Sequence, residues 1–559
     1  MVPFAKLFRI ALVAVLAPLG CFSAGKGGCA PAPGGTEACR CAPREAAPPG
    51  PDPGGTGDAG SAPTGGELAI RIPSEPGTLL SLLSPHPVIA RIIDHRVLEA
   101  LVELDPATGE PRPELALDWE IDPEKARYVF RLAPRARWHD GLPVTARDVV
   151  FTFEQLLDPA GGAVARGAFV DLAAVTALED GRVAFDLDRH RADFVVSLSR
   201  VMVLPAHVFG NERLAGHPAA RAPVGSGPLR FVSWAAGSSI ALARVEDWRG
   251  GPIPISRLVY KVVPDSRVAL DLFRAGELDV VPDVEPSPGG PPTGGNLAVV
   301  PVDTFEAWVY DTAGTLFSNR DSREAVGRSI DRETLRCSVL ACLADLVEGP
   351  WPRSRSAGPP AGGVLAYDLA LARRLLERAG WRDTDGDGVR DRGGRPFDFT
   401  LLVPDGARHL RRVAVMAERD LARVGIRMRP EVVSPSTYAS RLRGHRFDAA
   451  IVAFDNREPF EPLALFHSDA TSTGSNFGRI ADAALDGLLD AYNDTVDPAA
   501  RRGLEAAIGD RLAAQHWMTF TFGRWQQVLF REGVRGLPPV SSVLDERRLR
   551  IEPPFGGRR

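Results

Sequence analysis

From Glu67 onward, short strand-like runs alternate with amphipathic helical ones, and no single run is long enough to dominate a fold. ELAIRI (67–72) reads as a strand, and VIARIIDHRVLEALVEL (88–104) carries apolar residues at helical spacing. RYVFRLA (127–133) alternates as a strand does, and ARDVVFTFEQLL (146–157) reads as a helix opened by Thr145 as N-cap. RLVYKVV (257–263) is a strand pattern, followed by SRVALDLFRAGELDVV (266–281), a helix ending at Gly276 before another strand. DLALARRLLERAG (368–380) is a helix closed by Gly380. After it comes a strand–helix–strand run, FDFTLLV (397–403), HLRRVAVMAERDLARVG (409–425) and IRMRPEVV (426–433). FDAAIVAF (447–454) is an apolar run with polar flanks. No repeat of 20 to 50 residues is visible, which excludes a solenoid or propeller. The pattern predicts an α/β protein with mixed sheets in more than one lobe. A chain of 559 residues, at roughly 150 per domain, has room for several.

The N-terminus reads as an address. Lys6 and Arg9 precede an apolar run from Ile10 to Leu19, too short to span a bilayer comfortably but suited to a secretory signal peptide (1–21). The run ends at Gly20-Cys21, which resembles a bacterial lipoprotein cleavage site, where the cysteine becomes the first mature residue and carries lipid. That pattern prefers Leu three residues before the cysteine, where this chain has Pro18. Two readings follow: lipidation of Cys21, or an ordinary signal peptide cut nearby. Residues 22–66 are almost entirely Gly, Pro, Ala, Ser and Thr with scattered charge, and read as a disordered tether. No later stretch approaches the length of a spanning helix, which excludes a membrane transporter.

The charge balance, 66 Lys and Arg against 71 Asp and Glu, gives a net charge of −5 and argues against a nucleic-acid binder. The cations are nearly all Arg; Lys occurs only at Lys6, Lys26, Lys125 and Lys261. Cys29, Cys39 and Cys41 in the tether lack metal-like spacing and a nearby His. Cys337 and Cys342 lie five apart, either a disulfide in an oxidising compartment or two small buried residues. The sequence contains no Gly-x-Ser-x-Gly elbow, no His-Glu-x-x-His and no complete phosphate loop, since the Gly-x-x-x-x-Gly-Lys spacing at Gly20–Lys26 is followed by Gly27 rather than Ser or Thr, so nothing points to an enzyme. His139, Asp140 and Asp331 read as scaffold.

One loop suggests an ion. In WRDTDGDGVRDRGG, Asp383, Asp385, Asp387 and Asp391 occupy positions 1, 3, 5 and 9 of a loop with Gly388 at position 6. This is similar to the first half of a calcium loop, although Gly394 stands where the bidentate Glu of position 12 belongs. The alternatives are a structural calcium site and a solvated turn; no other cofactor is required.

Six blocks in order carry a family resemblance: SEPGTLLSL (74–82), residues 101–159 containing LALDW and HDGLPVTARDV, VGSGPLRFVSW (224–234) with EDWRGG (246–251), FRAGELDVV (273–281), SREAVGRSIDRETL (322–335) and NFGRIADAALDGLLDAYNDTVDPAARR (476–502). From about Glu67 to Leu549 the chain resembles the extracytoplasmic solute-binding proteins of peptide-type ABC transporters, the oligopeptide- and dipeptide-binding family (solute-binding family 5). The resemblance implies a two-lobed periplasmic-binding-protein fold with a ligand cleft between lobes and an inserted third domain. On that pattern lobe I collects 67–95, 200–300 and 505–559, the inserted domain is 96–199, and lobe II is 301–504.

The resemblance also implies the function: capture of peptides or similar small solutes outside the cytoplasm and delivery to the permease and ATPase subunits of an ABC importer. The protein would be a monomer, held to a membrane by its lipid. An exported sensor or chaperone module not coupled to transport remains the alternative. In the family a carboxylate after the apolar strand of lobe II takes the ligand's ammonium, and here that position is Asp455. Phe454, Asn456 and Trp308 are placed with it as solute-binding residues. The usual Gly-Trp pair is replaced by Ala453-Phe454, and Asp455 opening a surface turn is the competing reading.

Overall fold

The computed structural model describes residues 65–551, except 85, 106–108, 160, 162, 164–165, 170, 211, 285–294, 302–303, 352–363, 406, 456–461, 474, 496 and 537–544. Cys21 and the expected signal peptide and tether, up to Thr64, lie outside the described residues, as does Asn456. The principal strands are β1 (Glu67–Ile72), β2 (Ala116–Asp122), β3 (Arg127–Leu132), β4 (Leu172–Ala177), β5 (Val183–Leu187), β6 (Leu229–Ala235), β7 (Ser239–Arg244) and β8 (Arg257–Val262). They continue as β9 (Val280–Pro282), β10 (Asn296–Pro301), β11 (Thr304–Tyr310), β12 (Asp398–Pro404), β13 (Arg427–Val433), β14 (Ala449–Asp455) and β15 (Met518–Phe530). The principal helices are α1 (Ala146–Leu157), α2 (Ser266–Arg274), α3 (Arg320–Ser329), α4 (Arg332–Leu340), α5 (Leu369–Arg378), α6 (Arg408–Ala422), α7 (Pro435–Arg443), α8 (Ala483–Asp494) and α9 (Pro498–Gln515).

The main sheet runs β13-β12-β14-β11-β15-β9-β1-β8-β7-β6, and β10 also pairs with β15. Strand β15 belongs to both lobes. Its first half pairs antiparallel with β11, from Met518 opposite Val309 to Phe522 opposite Glu306. Its second half pairs with β9 and β10, Phe530 lying opposite both Val280 and Asn296. The two lobes are thus the two ends of one mixed sheet.

In lobe II the sheet is apolar on both faces. Along β11, Trp308 and Tyr310 enter one core with Phe399, Leu401 and Ile451, while Phe305, Ala307 and Val309 enter another with Leu402, Val452 and Phe454. Period-2 alternation with both sides apolar requires helices on both faces. Leu375 and Leu376 of α5 and Val413, Ala417 and Leu421 of α6 cover the first face. Leu485 and Leu489 of α8 and Ile508 and Leu512 of α9 cover the second.

Lobe I is built on β1, whose residues after Glu67 are all buried. The four-stranded antiparallel sheet β2-β3-β5-β4 forms the inserted unit. Its Tyr128, Phe130 and Phe185 share one continuous core with Leu68, Ile70 and Tyr260 of lobe I, so the insertion has no core of its own. A loop with Gly225 and Gly227 docks against residues 96–97, and Ser226 and Gly227 donate to the Val97 carbonyl at 3.0 Å. A Cβ on Gly225 would lie 1.8 Å from that carbonyl oxygen, so only glycine fits. His139 seals the contact: its Nδ1 accepts from Gly225 N–H and its Nε2 faces the Gly227 carbonyl at 3.0 Å. Burial holds this imidazole below its usual pKa, which keeps it neutral.

Two expectations need correction. The helix expected over 88–104 ends at Ile92, and His95 adopts a left-handed backbone. Residues 97, 98 and 100–102 are buried because the Gly225 loop and the insertion cover them, so their apolar spacing reports burial rather than helix. The lobe boundary at 504/505 falls inside α9, whose Ile508 and Leu512 pack with α8 in lobe II. Thr145 caps α1 as expected, in a capping box with Asp148, whose Oδ2 accepts from the Thr145 N–H at 2.8 Å and from its hydroxyl at 2.9 Å. Elsewhere Gly276 (φ +84°) and Gly380 (φ +86°) end α2 and α5 in the left-handed conformation. Asp331 caps α4 through Thr334 N–H at 3.0 Å. Cys337 of α4 is bonded to Cys342, two residues beyond the helix.

Candidate functional site

Strands β12, β13 and β14 are parallel, so their carboxyl ends, at Pro404, Val433 and Asp455, share one edge of lobe II. Helices α6 and α7 begin immediately beyond that edge. Antiparallel β11 starts there too, with Thr304 in register opposite Asp455. In open α/β sheets this edge collects ligands, because loops and helix N-termini converge on it.

Asp455 is the last residue of β14, so the family-derived position falls on this edge. Phe454 is buried and stacks on Phe305, ring centroids 4.6 Å apart, in the second core of lobe II. Trp308 is a correction: it is fully buried in the other core, among helices α5 and α6, and belongs to the scaffold. Its position follows from strand parity, since it shares a face with Tyr310.

The edge also holds a residue that sequence reading passed over. Glu306, on β11 one rung inward from Thr304, is 1% exposed. Its Oε1 lies 2.7 Å from His409 Nε2, in the first turn of α6, and 3.1 Å from Arg524 Nε on β15. The available signal was a lone acid inside an apolar strand, TFEAWVY.

In the aspartate loop, Asp383, Asp385 and Asp387 bring one carboxylate oxygen each within 4.8 Å of one another, all exposed. Asp383 accepts from Gly386 and Gly388 N–H at 2.8 and 3.1 Å, and Asp387 pairs with Arg427 at 3.2 Å. Asp391, the fourth expected ligand, stands apart from the trio. Its Oδ2 accepts from Thr384 N–H and Oγ1 at 3.0 and 2.6 Å, and these bonds hold its pKa below the usual carboxylate range.

Residues 110–477 match the model for bacterial extracellular solute-binding proteins, family 5 Middle. The chain belongs to this family. It is 27% identical over 448 residues to the oligopeptide-binding protein AppA of Bacillus subtilis, covering 77% of this chain and 81% of that one. The structure of AppA in complex with a nonapeptide superposes with a TM-score of 0.74 at 23% identity, covering 88% of this chain and 99% of AppA. NikZ of Campylobacter jejuni, solved with Ni(L-His), gives a TM-score of 0.72 at 20% identity, covering 87% and 99%. These likenesses establish the two-lobed fold of a family 5 solute-binding protein, which acts outside the cytoplasm. No helix among the described residues is long and apolar enough to cross a membrane.

Two cavities in this solute-binding protein lie away from the strand edge. A groove of about 460 Å³ runs beside the aspartate loop, between Arg373, Arg390 and Arg423. A smaller one of about 150 Å³ separates α3 from the end of α9 and is lined by Arg320, Glu324, Arg328 and His516. His516 has a left-handed backbone (φ +50°) and a nearly buried ring. Burial first, then the charges of Arg320, Arg328 and Arg323, push its pKa down to about 4 against the favourable Glu324. A histidine held below its unfolded value of about 6.5 stabilises the native state fully above that pH and loses the contribution as pH falls toward 4. Replacing His516 with Asn, which tolerates the left-handed backbone, should therefore flatten the acid limb of stability by on the order of 2 kcal/mol. Thermal melts of both proteins at pH 7 and 4.5 check this; equal losses would remove His516 as the cause.

Proposed function

We propose that this protein captures peptides outside the cytoplasm and delivers them to the permease and ATPase subunits of an ABC importer. The observation that carries the reading is Asp455 at the carboxyl edge of lobe II, within a chain matching an oligopeptide-binding relative along most of its length. Extended-strand hydrogen bonds to a peptide backbone accept any sequence, and a carboxylate supplies the anchor for the ligand's ammonium. Such a bond in a closed, dry cleft is about twice as strong as a neutral one. Losing it costs on the order of 2–5 kcal/mol, much of it from the stranded ammonium. Titration calorimetry should show Asp455→Asn weakening a peptide with a free N-terminus far more than its acetylated form. Equal affinity of the wild type for both forms would take Asp455 out of the site.

The short apolar run ending at Gly20-Cys21 supports lipid attachment at Cys21, with the tether letting the folded part work away from the membrane. Metabolic labelling with a fatty acid should mark the wild type and miss Cys21→Ser; equal labelling would sink the anchor. The Asp383, Asp385 and Asp387 trio supports a structural calcium, offering three hard oxygens to an ion. An ion that binds the folded state alone raises its stability. Millimolar calcium should raise the melting temperature and a chelator reverse it; an unmoved midpoint leaves the loop a turn.

A further inference from the structure

Glu306 Oε2 is buried without a hydrogen-bond partner among the described residues, and so are Thr304 Oγ1 and Trp308 Nε1. These three residues are alternate members of β11 and share one face of it. Buried polar atoms of this kind are completed by ordered water or by a ligand, and each uncompleted one destabilises the protein. Their placement separates the two cases. Thr304 is opposite Asp455 at the ligand-collecting edge, and Glu306 is one rung inward.

The groups that cover Glu306 are loosely held. Arg524 is 46% exposed and His409 24%, whereas the carboxylate beneath them is sealed. Both approach the same oxygen, Oε1, and leave the other vacant. Arg524 pairs through its backbone with Ala344 of lobe II, one residue before β15 turns to β10 at Trp525, so its backbone is fixed beside the junction and its half-exposed side chain is the part that can move off Glu306. A half-exposed cation on a buried carboxylate at a hinge is replaceable by another cation that enters the cleft.

We propose that Glu306 is a specificity residue for solutes carrying a second cationic group, a lysine-type ammonium or arginine-type guanidinium, and that Arg524 occupies its place until such a solute arrives. This deepens the peptide reading and rests on it: the ligand's terminal ammonium belongs to Asp455, and its side-chain cation to Glu306. A carboxylate with a free oxygen accepts a charged donor more strongly than a neutral one. The competing Arg524 makes the preference a difference between two cations, which favours solutes able to displace it over neutral ones.

Calorimetry with alanine-based tri- to nonapeptides, each bearing one internal lysine, against the same peptides with that lysine acetylated, tests the assignment. The wild type should prefer the charged form on the order of tenfold. Glu306→Gln should abolish the preference while keeping the acetylated peptide's affinity, and Arg524→Gln should strengthen the charged peptide. Equal affinity for both forms, or a preference that survives Glu306→Gln, overturns the inference and leaves the peptide reading intact. A change in melting temperature alone, with binding unaltered, also overturns it by marking the cluster as a structural ion pair. Binding of neither form sinks the peptide reading and this inference with it.

Discussion

Backbone hydrogen bonding along β15 couples the two halves of the molecule. Each peptide group of a central strand must find partners on its flanks, and β15 finds them in different lobes at its two ends. Met518 to Phe522 are committed to β11, and Trp525 to Phe530 to β9 and β10. Neither set can be exchanged without opening a sheet. Between them Gly523 and Arg524 pair with Asp345 and Ala344 of lobe II, so β15 leaves that lobe between Arg524 and Trp525, with a register shift between Glu306 and Ala307 on the facing strand. A bulge of this kind bends a strand locally and leaves the pairing on either side intact. Hinge closure around a solute needs such a junction, two rigid bodies and a few adaptable residues.

The same sheet decides where a ligand can sit in lobe II. Both faces are covered, Trp308 and Tyr310 under α5 and α6, Phe305 and Phe454 under α8 and α9. That leaves the carboxyl edge of β12, β13 and β14, onto which α6 and α7 open. Apolar burial thus does two jobs: it stabilises the lobe, and it confines polar chemistry to a strip that includes Thr304, Glu306 and Asp455. Sealing Glu306 so near that strip raises the energetic stake of whatever completes it, because an unpaired oxygen in a dry interior has no solvent to fall back on.

Much of the architecture was legible in the sequence wherever a local signal had a local cause. Gly276 and Gly380 ended their helices because only glycine takes a left-handed turn without penalty. The strand–helix–strand run over 397–433 appeared within three residues of its pattern. Tertiary burial misled elsewhere. Residues 93–102 looked helical because they are apolar, yet His95 turns the chain and its ring meets Glu114 at 2.8 Å, a contact nineteen residues away. Trp308 looked like a ligand-facing aromatic, and only its parity with Tyr310 on a doubly covered sheet shows otherwise. Asp391 fitted a loop template by spacing, but spacing does not reveal that Thr384 takes up its carboxylate. Glu306 was missed for the opposite reason: its partners lie on α6 and β15, about 100 and more than 200 residues away in the chain.

Some of the arginines serve the ends of helices. The last carbonyls of a helix lack intrahelical partners, and here guanidinium groups repeatedly supply them. Arg323 donates to the Gln515 and His516 carbonyls at the end of α9, at 2.8 and 3.1 Å, and to Phe317 at 2.6 Å. Arg531 reaches Phe273 near the end of α2 and Leu278 beyond it, at 2.9 and 3.2 Å. Arg390 joins Trp381 after α5 to Val424 after α6, at 3.0 and 2.9 Å, tying two helix ends with one planar group. Lysine carries its donors on a single nitrogen and cannot span such pairs of carbonyls. Two of the three are ion-paired as well, Arg531 with Asp279 and Arg390 with Glu377, each at 3.4 Å. An abundance of arginine thus coexists with a slightly acidic chain: guanidinium groups close helix ends at these positions and pair with carboxylates elsewhere, as Arg249 does with Glu99 and Arg332 with Glu348.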